Sequence, residues 1–526
     1  MKLDKQVIND LELESIHKYI PFKTSWGKSC FTNKLINPIA NPNEIKQQQK
    51  QIVAFRKSAI RQSISMELDN IDQEAIQSVT SNKDPLVVES LSQIFWKQDS
   101  YGSFLNTFPF VLNGMITWKT LVLPGVAVLM PLIALIVPFI VLNMTSTIST
   151  SDYLVHVKHV LLQQISIPSF LRSRGSDDKI GFVMESLFIG LTLATFISSL
   201  WNQIQSAIHL RTIWKNVKIQ GRAILNLISS CGIILTKLKQ QEIKYQRALR
   251  EIINRGEFIY EKAKYLESSD ELTAYGSVWN DSSILDEIII WIGEIDAIVS
   301  IASLKDICIP RISQKTELNI TELHHPELPT CIRNSFTAVG GNQQVHAILT
   351  GPNRGGKTTF CRSIGLAIIT AQSWGFAWAR RMQWSPFQSI YTALETGGVL
   401  GNMSKFEAEI EFAKSVLGTQ GSMFVMMDEI FHSTNATDGV AASTVFLKHL
   451  YERTNTISII STHYKELATT FSSKNVATAY QMVANQKPDG KLEYTYRLAP
   501  GVSETSSVME ILAERGLVSG AVDVSN

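Results

Sequence analysis

Two long stretches without charge stand out when polar and apolar positions are followed along the chain. Thr120 to Leu142 and Ser186 to Leu210 contain no Lys, Arg, Asp or Glu. Each is long enough to cross a hydrocarbon layer of about 30 Å as a helix. The first is apolar on every side, which excludes an amphipathic surface helix. The pattern therefore predicts two apolar helices, arranged as a transmembrane hairpin over residues 119–210.

Prolines support the membrane interpretation of the first stretch, where Pro124, Pro131 and Pro138 recur every seventh residue. Each would cost about 3 kcal/mol inside a water-exposed helix. Membrane helices tolerate proline better, because lipid penalises any structure with unpaired backbone groups. The alternative is a pair of helices buried in a large helical domain. The second stretch keeps that alternative open, since it contains Gln203 and His209.

Outside these stretches, the pattern predicts long helices over residues 44–97 and 211–266 and a proline-rich linker over residues 309–329. Short apolar runs then indicate buried strands. They are Val345–Thr350, Met423–Met427 and Thr456–Ser461. The predicted fold is an α-helical core followed by a C-terminal α/β domain.

A glycine-rich loop follows the first of these strands and precedes a predicted helix from Cys361 to Gln372. It fits the phosphate-binding pattern G-x-x-x-x-G-K-[ST]. Glycines let backbone N–H groups point at phosphate oxygens, and the helix N-terminus adds its dipole. Lys357 would reach the β- and γ-phosphates of a nucleotide, and the Thr358 hydroxyl would ligate Mg²⁺. The predicted nucleotide-binding residues are Gly351, Pro352, Asn353, Arg354, Gly355, Gly356, Lys357, Thr358 and Thr359.

Two acidic residues and a histidine end the other two strands. Asp428 and Glu429 follow the apolar run that begins at Met423, and His463 follows the strand that ends at Ser461. Asp428 would hold Mg²⁺, directly or through water, and Glu429 would activate the attacking water as general base. His463 would contact the γ-phosphate or the catalytic water. These residues together predict an ATPase with Mg²⁺ as cofactor.

Composition adds little to this picture. A formal net charge of +2 over 526 residues gives no nucleic-acid footprint. A basic patch on one face is still compatible with that balance. The length is sufficient for two or three domains.

The motifs together resemble the MutS family of DNA mismatch-repair ATPases, which are of the ABC type. The family's loop GPNMGGKST corresponds to GPNRGGKTT here, so Arg354 replaces a methionine. The family's DEIGRGTSTYDG corresponds to DEIFHSTNATDG, beginning at Asp428, and its ATHY to the segment ending in His463-Tyr464. The resemblance covers about residues 8–60 and 285–517. It implies a MutS-type core from residue 1 to 118 and from 211 to 306, and an ATPase domain over residues 307–526.

The family's G-x-S-x-F-x-x-E segment resembles residues 401–409, with Ser404 as its serine. In the family this serine reaches the nucleotide of the partner subunit. The resemblance therefore implies a homodimer with composite ATP sites and Ser404 acting in trans. The alternative for Ser404 is an ordinary loop serine facing water.

Departures from the family separate two hypotheses about function. In the family, a mismatch-reading domain and a connector domain precede the core, and we expect neither in this chain. The family's R-I-G-A-x-D segment has Thr392 here in place of its arginine. One hypothesis is an ATP-dependent dimer switch with mismatched-DNA binding in repair. The other is a membrane-anchored MutS-like ATPase that does not recognise mismatches. The second places both soluble parts in the cytosol, and the first places a soluble protein on DNA inside the cell.

Overall fold

The computed structural model describes residues 1–81, 85–96, 100–145, 149–153, 155, 178–241, 243–328, 330, 332–340, 345–394, 404–487 and 491–515. The chain forms two compact units. The first consists of Met1–Asn70, Ile233–Glu257 and Ile289–Asn526, and the second of Ile71–Gly232 and Phe258–Ile288. The predicted domain boundaries at residues 118, 210 and 306 stay predictions.

Helices make up most of the chain before residue 304. They are α1 (Lys5–Asp10), α2 (Ser25–Leu35), α3 (Pro42–Lys57), α4 (Ile60–Asp69), α5 (Gln73–Ser81), α6 (Pro85–Ser92), α7 (Pro109–Thr117), α8 (Leu123–Thr145), α9 (Asp178–Lys239), α10 (Ile243–Ala263), α11 (Glu271–Asn280) and α12 (Ser283–Ser303). The helical character predicted for residues 44–97 and 211–266 is confirmed, but neither stretch is one helix. Residues 44–97 contain most of α3 and all of α4, α5 and α6. Residues 211–266 contain the end of α9, which stops at Lys239, and the whole of α10.

Within the first unit, the beginning of α2 meets α12 through a buried carboxylate. The Asp296 side chain, which is fully buried, accepts from the Thr24 hydroxyl at 2.7 Å and from the Thr24 amide at 2.7 Å. The same hydroxyl caps α2 by accepting from the Gly27 amide at 2.9 Å. A Cβ at Gly27 would lie 2.1 Å from the Asp296 carboxylate. Glycine is therefore required there, because any side chain would displace the carboxylate from its donors.

The predicted apolar stretches are helical, with different bounds. A π-helical turn over Trp118–Val122 precedes α8, and the second stretch is part of α9, which continues 29 residues past Leu210 to Lys239. Among the described residues, Pro109–Met130 and Leu193–Lys239 are long and apolar enough to span a membrane. In an apolar 18-residue window of each span, 11% of the first is buried, against 50% of the second. Length and composition alone support these two spans.

Two sheets carry the C-terminal part of the first unit. The six-stranded sheet has the order β10-β9-β4-β8-β7-β6, and the four-stranded sheet the order β1-β5-β2-β3. In the larger sheet all neighbours are parallel except β9 and β10. The strands are β1 (Arg311–Ile312), β2 (Glu317–Leu323), β3 (Asn334–Val339), β4 (His346–Thr350), β5 (Arg381–Trp384), β6 (Ser389–Ala393), β7 (Met423–Asp428), β8 (Thr456–Ser461), β9 (Thr478–Gln486) and β10 (Leu492–Pro500).

The linker predicted over residues 309–329 is wrong. This segment contains β1 and β2, and β2 pairs with both β3 and β5. Pro310 lies before β1 and Pro326 after β2, so neither removes a donor from a strand interior. Leu318 and Ile320 are buried on one side of β2. Their alternation was a strand signal that the surrounding prolines masked.

The helices of the α/β region are α13 (Lys357–Ser373), α14 (Lys405–Gly418), α15 (Ala436–Tyr451), α16 (Lys465–Ser473) and α17 (Val508–Glu514). Apolar side chains of β7 and β8 pack with α15 and α16 in one buried cluster, which includes Val425, Leu447, Ile460 and Leu467. This packing fixes the strands that carry the candidate site.

Strand register explains why distant motifs converge. Leu349 of β4 pairs with Ser461 of β8, and Ser461 pairs with Asp428 of β7. The three strands are parallel, so their carboxyl ends lie at one edge of the sheet. The phosphate loop (residues 351–359), Asp428-Glu429 and His463 all follow those ends.

Candidate functional site

The phosphate loop connects the fully buried strand β4 to the N-terminus of α13. Gly356 caps α13 with φ 91°, in the left-handed region that favours glycine. A Cβ at Gly356 would lie 3.2 Å from the Tyr496 ring, and one at Gly351 would lie 3.0 Å from Met482. Both glycines therefore serve conformation and close packing. The loop predicted from sequence has the expected strand–loop–helix setting.

Lys357 begins α13, and its side chain is turned back over the loop. Its Nζ donates to the Gly351 carbonyl at 3.1 Å and lies 3.4 Å from the Pro352 carbonyl. The residue is only 6% exposed, and burial lowers the pKa of its ammonium, an effect that nearby Asp428 and Glu429 oppose. A buried cation at this position can interact strongly with anionic phosphate, because little water screens it.

Thr358 and Asp428, predicted as metal ligands, are in direct contact. The Thr358 hydroxyl donates to Asp428 Oδ2 at 2.6 Å. The other carboxylate oxygen, Oδ1, is buried and has no hydrogen-bond partner among the residues described. A buried carboxylate oxygen without a donor is costly unless a ligand binds it. Hydroxyl and carboxylate oxygens are the ligands that Mg²⁺ prefers, so this pair fits the predicted cofactor.

Glu429 and His463 form a second pair beside the first. His463 Nε2 lies 2.9 Å from Glu429 Oε1 and 3.4 Å from Lys357 Nζ. One nitrogen cannot donate to Glu429 and accept from Lys357 at once, and the shorter distance indicates that it carries the proton and donates to Glu429. The hydrogen bond from His463 holds the pKa of the Glu429 carboxyl below its ordinary value, against the effect of burial. Glu429 is thus an ionised carboxylate, as a general base must be.

Ser404 is the N-cap of α14. Its hydroxyl accepts from the Glu407 amide at 3.2 Å, and the Glu407 carboxylate accepts from the Ser404 amide at 2.8 Å. This capping box explains the serine structurally. Ser404 is exposed and is not among the described residues that line the pocket over the phosphate loop. Residues 395–403, which include the second half of the segment compared with the family's arginine motif, lie outside the described residues.

A pocket of about 730 Å³ extends from the phosphate loop towards β3 and β10. Asn334 and Tyr496 line it and were not predicted from sequence. The Asn334 side chain donates to the Tyr496 carbonyl at 2.9 Å and accepts from the Leu498 amide at 2.8 Å. This arrangement places an aromatic ring beside Gly356. Hydrogen bonds of the Asn334 side chain between strands of different sheets create it, and no local motif signals either residue.

His324 and His325 line the same pocket. Burial lowers the pKa of both imidazoles. The end of the pocket at His324 and His325 is therefore lined by uncharged imidazoles, whereas the opposite end carries the Lys357 ammonium. The uncharged end suits an uncharged planar group of a ligand. The pocket therefore has a polar end for phosphates and a flatter, less polar end opposite.

Comparison with known proteins identifies the domain that holds this site. Residues 347–524 match the family model of MutS domain V. In this domain, the chain is similar to the MutS family.

Several curated relatives are similar to part of this chain. The DNA mismatch repair protein MutS of Natronomonas pharaonis is 27% identical over 179 residues, which are 34% of this chain and 21% of the relative. That of Aquifex pyrophilus is 27% identical over 235 residues, 43% of this chain and 27% of the relative. That of Chlorobaculum parvum is 26% identical over 269 residues, 49% of this chain and 30% of the relative. The chain thus spans less than a third of the length of these MutS proteins.

The match to MutS domain V confirms the resemblance found from the motifs, and the mixed α/β architecture confirms the fold class of the C-terminal part. Thr358, Asp428, Glu429 and His463 lie inside the matched region, whereas the pocket extends beyond it to His324, His325 and Asn334.

Proposed function

We propose that this MutS-family chain binds ATP with Mg²⁺ and hydrolyses it. The observation that carries the proposal is the hydrogen bond of 2.6 Å between the Thr358 hydroxyl and Asp428. It joins two oxygen ligands from separate motifs and leaves Asp428 Oδ1 buried without a partner among the described residues. With Lys357 beside it, the pair forms a site for a nucleoside triphosphate and its cation. Replacing Lys357 is the decisive experiment.

Each side chain has a defined task in this proposal. Lys357 offsets the charge of the β- and γ-phosphates, and the loop amides bind their oxygens. Thr358 and Asp428 would hold Mg²⁺, which when bound screens phosphate charge as a Lewis acid. Glu429 accepts the proton of the attacking water, and His463 orients the carboxylate and keeps it ionised.

The site is completed by a second copy of the chain in this proposal. Ser404 is exposed at the start of a helix of 14 residues. An exposed helix N-terminus offers amide donors and a favourable dipole to an anion. The γ-phosphate bound by a partner copy is the anion that Ser404 would contact. Hydrolysis would then act as a switch by opening and closing a homodimer.

His463→Ala should shift the pH dependence of hydrolysis. The folded pKa of Glu429 is below its ordinary value because His463 donates to it, so activity is lost only when the pH falls through that lowered pKa. Without His463 the pKa of the Glu429 carboxyl rises, and the acidic limb of the kcat–pH profile should move to higher pH. Steady-state hydrolysis between pH 4.5 and 8 would measure this shift. An unchanged acidic limb would contradict the proposed pairing.

DNA is a proposed partner on the strength of the relatives, whose names are those of mismatch-repair proteins. The matched region is the domain that holds the nucleotide site, and the net charge of +2 does not favour DNA. ATP-dependent action on mismatched DNA therefore remains the family-based proposal for the role of the switch.

A membrane-anchored ATPase is the second candidate, because α8 exposes large apolar side chains. Leu129, Met130 and Ile133 are 53%, 57% and 47% exposed. The 23 residues of α8 span about 35 Å as a helix. Exposed aromatic residues cluster just before it, as expected at a membrane–water interface. They are Tyr101, Phe104, Phe108, Phe110 and Trp118.

The transmembrane proposal concerns α8 and the part of α9 before Leu210. An even number of spans would leave both soluble parts on the same side, and we propose that this side is the cytosol. Lys158, Arg172 and Arg174, the charges expected between the spans, lie outside the described residues.

Alkaline carbonate extraction tests the membrane proposal. We expect the full chain to stay in the pellet with the lipid, because two spans bury far more apolar surface than peripheral binding does. A matched variant with Leu129→Arg and Ile133→Arg should be released, since charges at mid-bilayer cost about 2.5–3.5 kcal/mol each. Quantitative release of the unmodified chain would contradict the proposal and favour the soluble, DNA-associated alternative.

A further inference from the structure

The turn that carries Glu429 has an unusual backbone. Glu429 has φ 54° and Phe431 has φ 52°, although neither is glycine. Side chains other than glycine rarely adopt this left-handed conformation, and a bulky aromatic residue does so only when its surroundings hold it there. Residues 431–433, which follow Glu429, are called the catalytic turn below. Their contacts show what holds the backbone in this conformation.

Each residue of the catalytic turn contacts the first two turns of α14. The Phe431 and Phe406 rings pack edge to face with centroids 5.9 Å apart. His432 Nε2 lies 3.4 Å from Lys405 Nζ. The Ser433 hydroxyl donates to Glu409 Oε2 at 2.8 Å. The helix that begins at Ser404 is thus attached to the segment that follows Glu429 at three consecutive positions.

His432 links this attachment to Glu429 itself. Its Nδ1 lies 2.6 Å from the Glu429 carbonyl oxygen. A carbonyl only accepts, so Nδ1 carries the hydrogen, and Nε2 faces the Lys405 ammonium, which can donate to it. One imidazole therefore joins the backbone of Glu429 to the residue next to Ser404.

We propose that Phe431, His432 and Ser433 are positioning residues that make α14 and Glu429 move together. Displacement of the Ser404 end of α14 would reach Glu429 through His432 and the two flanking contacts. The MutS pattern compared above has Gly-Arg-Gly at these positions. Glycine offers neither a ring for Phe406 nor a hydroxyl for Glu409, so these contacts are a property of this chain. The proposal rests on the proposed ATPase function.

Kinetics of His432 variants provide the first test. In His432→Ala, kcat for ATP should fall about tenfold while the Kd for ATP stays within twofold, because the turn lies outside the nucleotide contacts. His432→Asn should keep at least half of kcat, since its amide nitrogen can replace Nδ1 as donor. His449→Ala, at an exposed histidine of α15, should match the unmodified chain. A kcat of His432→Ala within twofold of normal, or a Kd that rises as kcat falls, would overturn the proposal.

Hydrogen exchange provides a second test that does not require hydrolysis. The Glu429 amide donates to the Ser461 carbonyl at 2.9 Å and reports on the turn. In Glu409→Ala, a peptide covering residues 428–434 should exchange at least threefold faster. Glu411→Ala, on the same helix with its carboxylate paired only to Lys414 among the contacts described, should leave the rate unchanged. Equal rates in both variants would refute the linkage. A chain that shows this difference but hydrolyses no ATP would refute the proposed function alone.

Discussion

Lys357→Ala is expected to weaken ATP binding at least 100-fold and to abolish hydrolysis. The ammonium is buried at the start of α13 and lies over the loop carbonyls. Alanine would leave the phosphates facing backbone carbonyls with no cation to offset their charge. A 100-fold loss corresponds to about 2.7 kcal/mol, within the range for charge-assisted contacts in a site shielded from water. Titration of a fluorescent ATP analogue would measure the Kd.

The matched control is Lys414→Ala. Lys414 is also on a helix of the first unit, but its side chain is 73% exposed and pairs with Glu411. Surface pairs of this kind contribute little, so affinity and turnover should stay normal. Normal turnover by purified Lys357→Ala protein would show that the phosphate loop does not bind nucleotide in this chain.

Glu429→Gln should trap ATP, with binding retained and the hydrolysis rate at least 100-fold lower. Glutamine has the volume of glutamate, and its amide oxygen can still accept from His463, so the geometry of the site is conserved. It cannot accept the proton of the attacking water, and general-base catalysis contributes about 10²–10⁴ in rate. Single-turnover hydrolysis with the Kd measured in parallel separates the two effects.

Trapped ATP should also stabilise the proposed dimer. Mass measurement of Glu429→Gln with ATP should show twice the mass of one chain, and Ser404→Ala in the same background should reduce that fraction. Glu452→Gln is the control, because the Glu452 side chain is 76% exposed on the surface. Rapid hydrolysis by Glu429→Gln would assign the general base to another residue.

Much of the candidate site could be predicted from local sequence. The phosphate loop, Asp428-Glu429 and His463 each follow a short apolar run, and parallel strands bring their carboxyl ends to one edge. Leu349, Ser461 and Asp428 are in register as this requires. Such features depend on neighbouring residues in the chain, so pattern and spacing are enough to find them.

Segment boundaries were less predictable. The prolines near β1 and β2 indicated a linker. Both strands nevertheless pair with β5, which lies about 60 to 70 residues further along the chain, and β2 also pairs with β3. Likewise, α9 continues past the end of its uncharged stretch to Lys239. Hydropathy changes at Leu210, but helical hydrogen bonds do not depend on hydropathy and continue through it.

By itself, the sequence determined the resemblance to the MutS family, the glycine-rich loop and the order of the acidic and histidine residues. Tertiary structure alone decided that Asn334 and Tyr496 line the pocket and that Asp428 Oδ1 is buried beside Thr358. It also joined the turn after Glu429 to the helix that Ser404 begins. These contacts connect residues that are far apart in the chain and belong to no motif. They follow from the packing of whole strands and helices, which sets distances that no local pattern records.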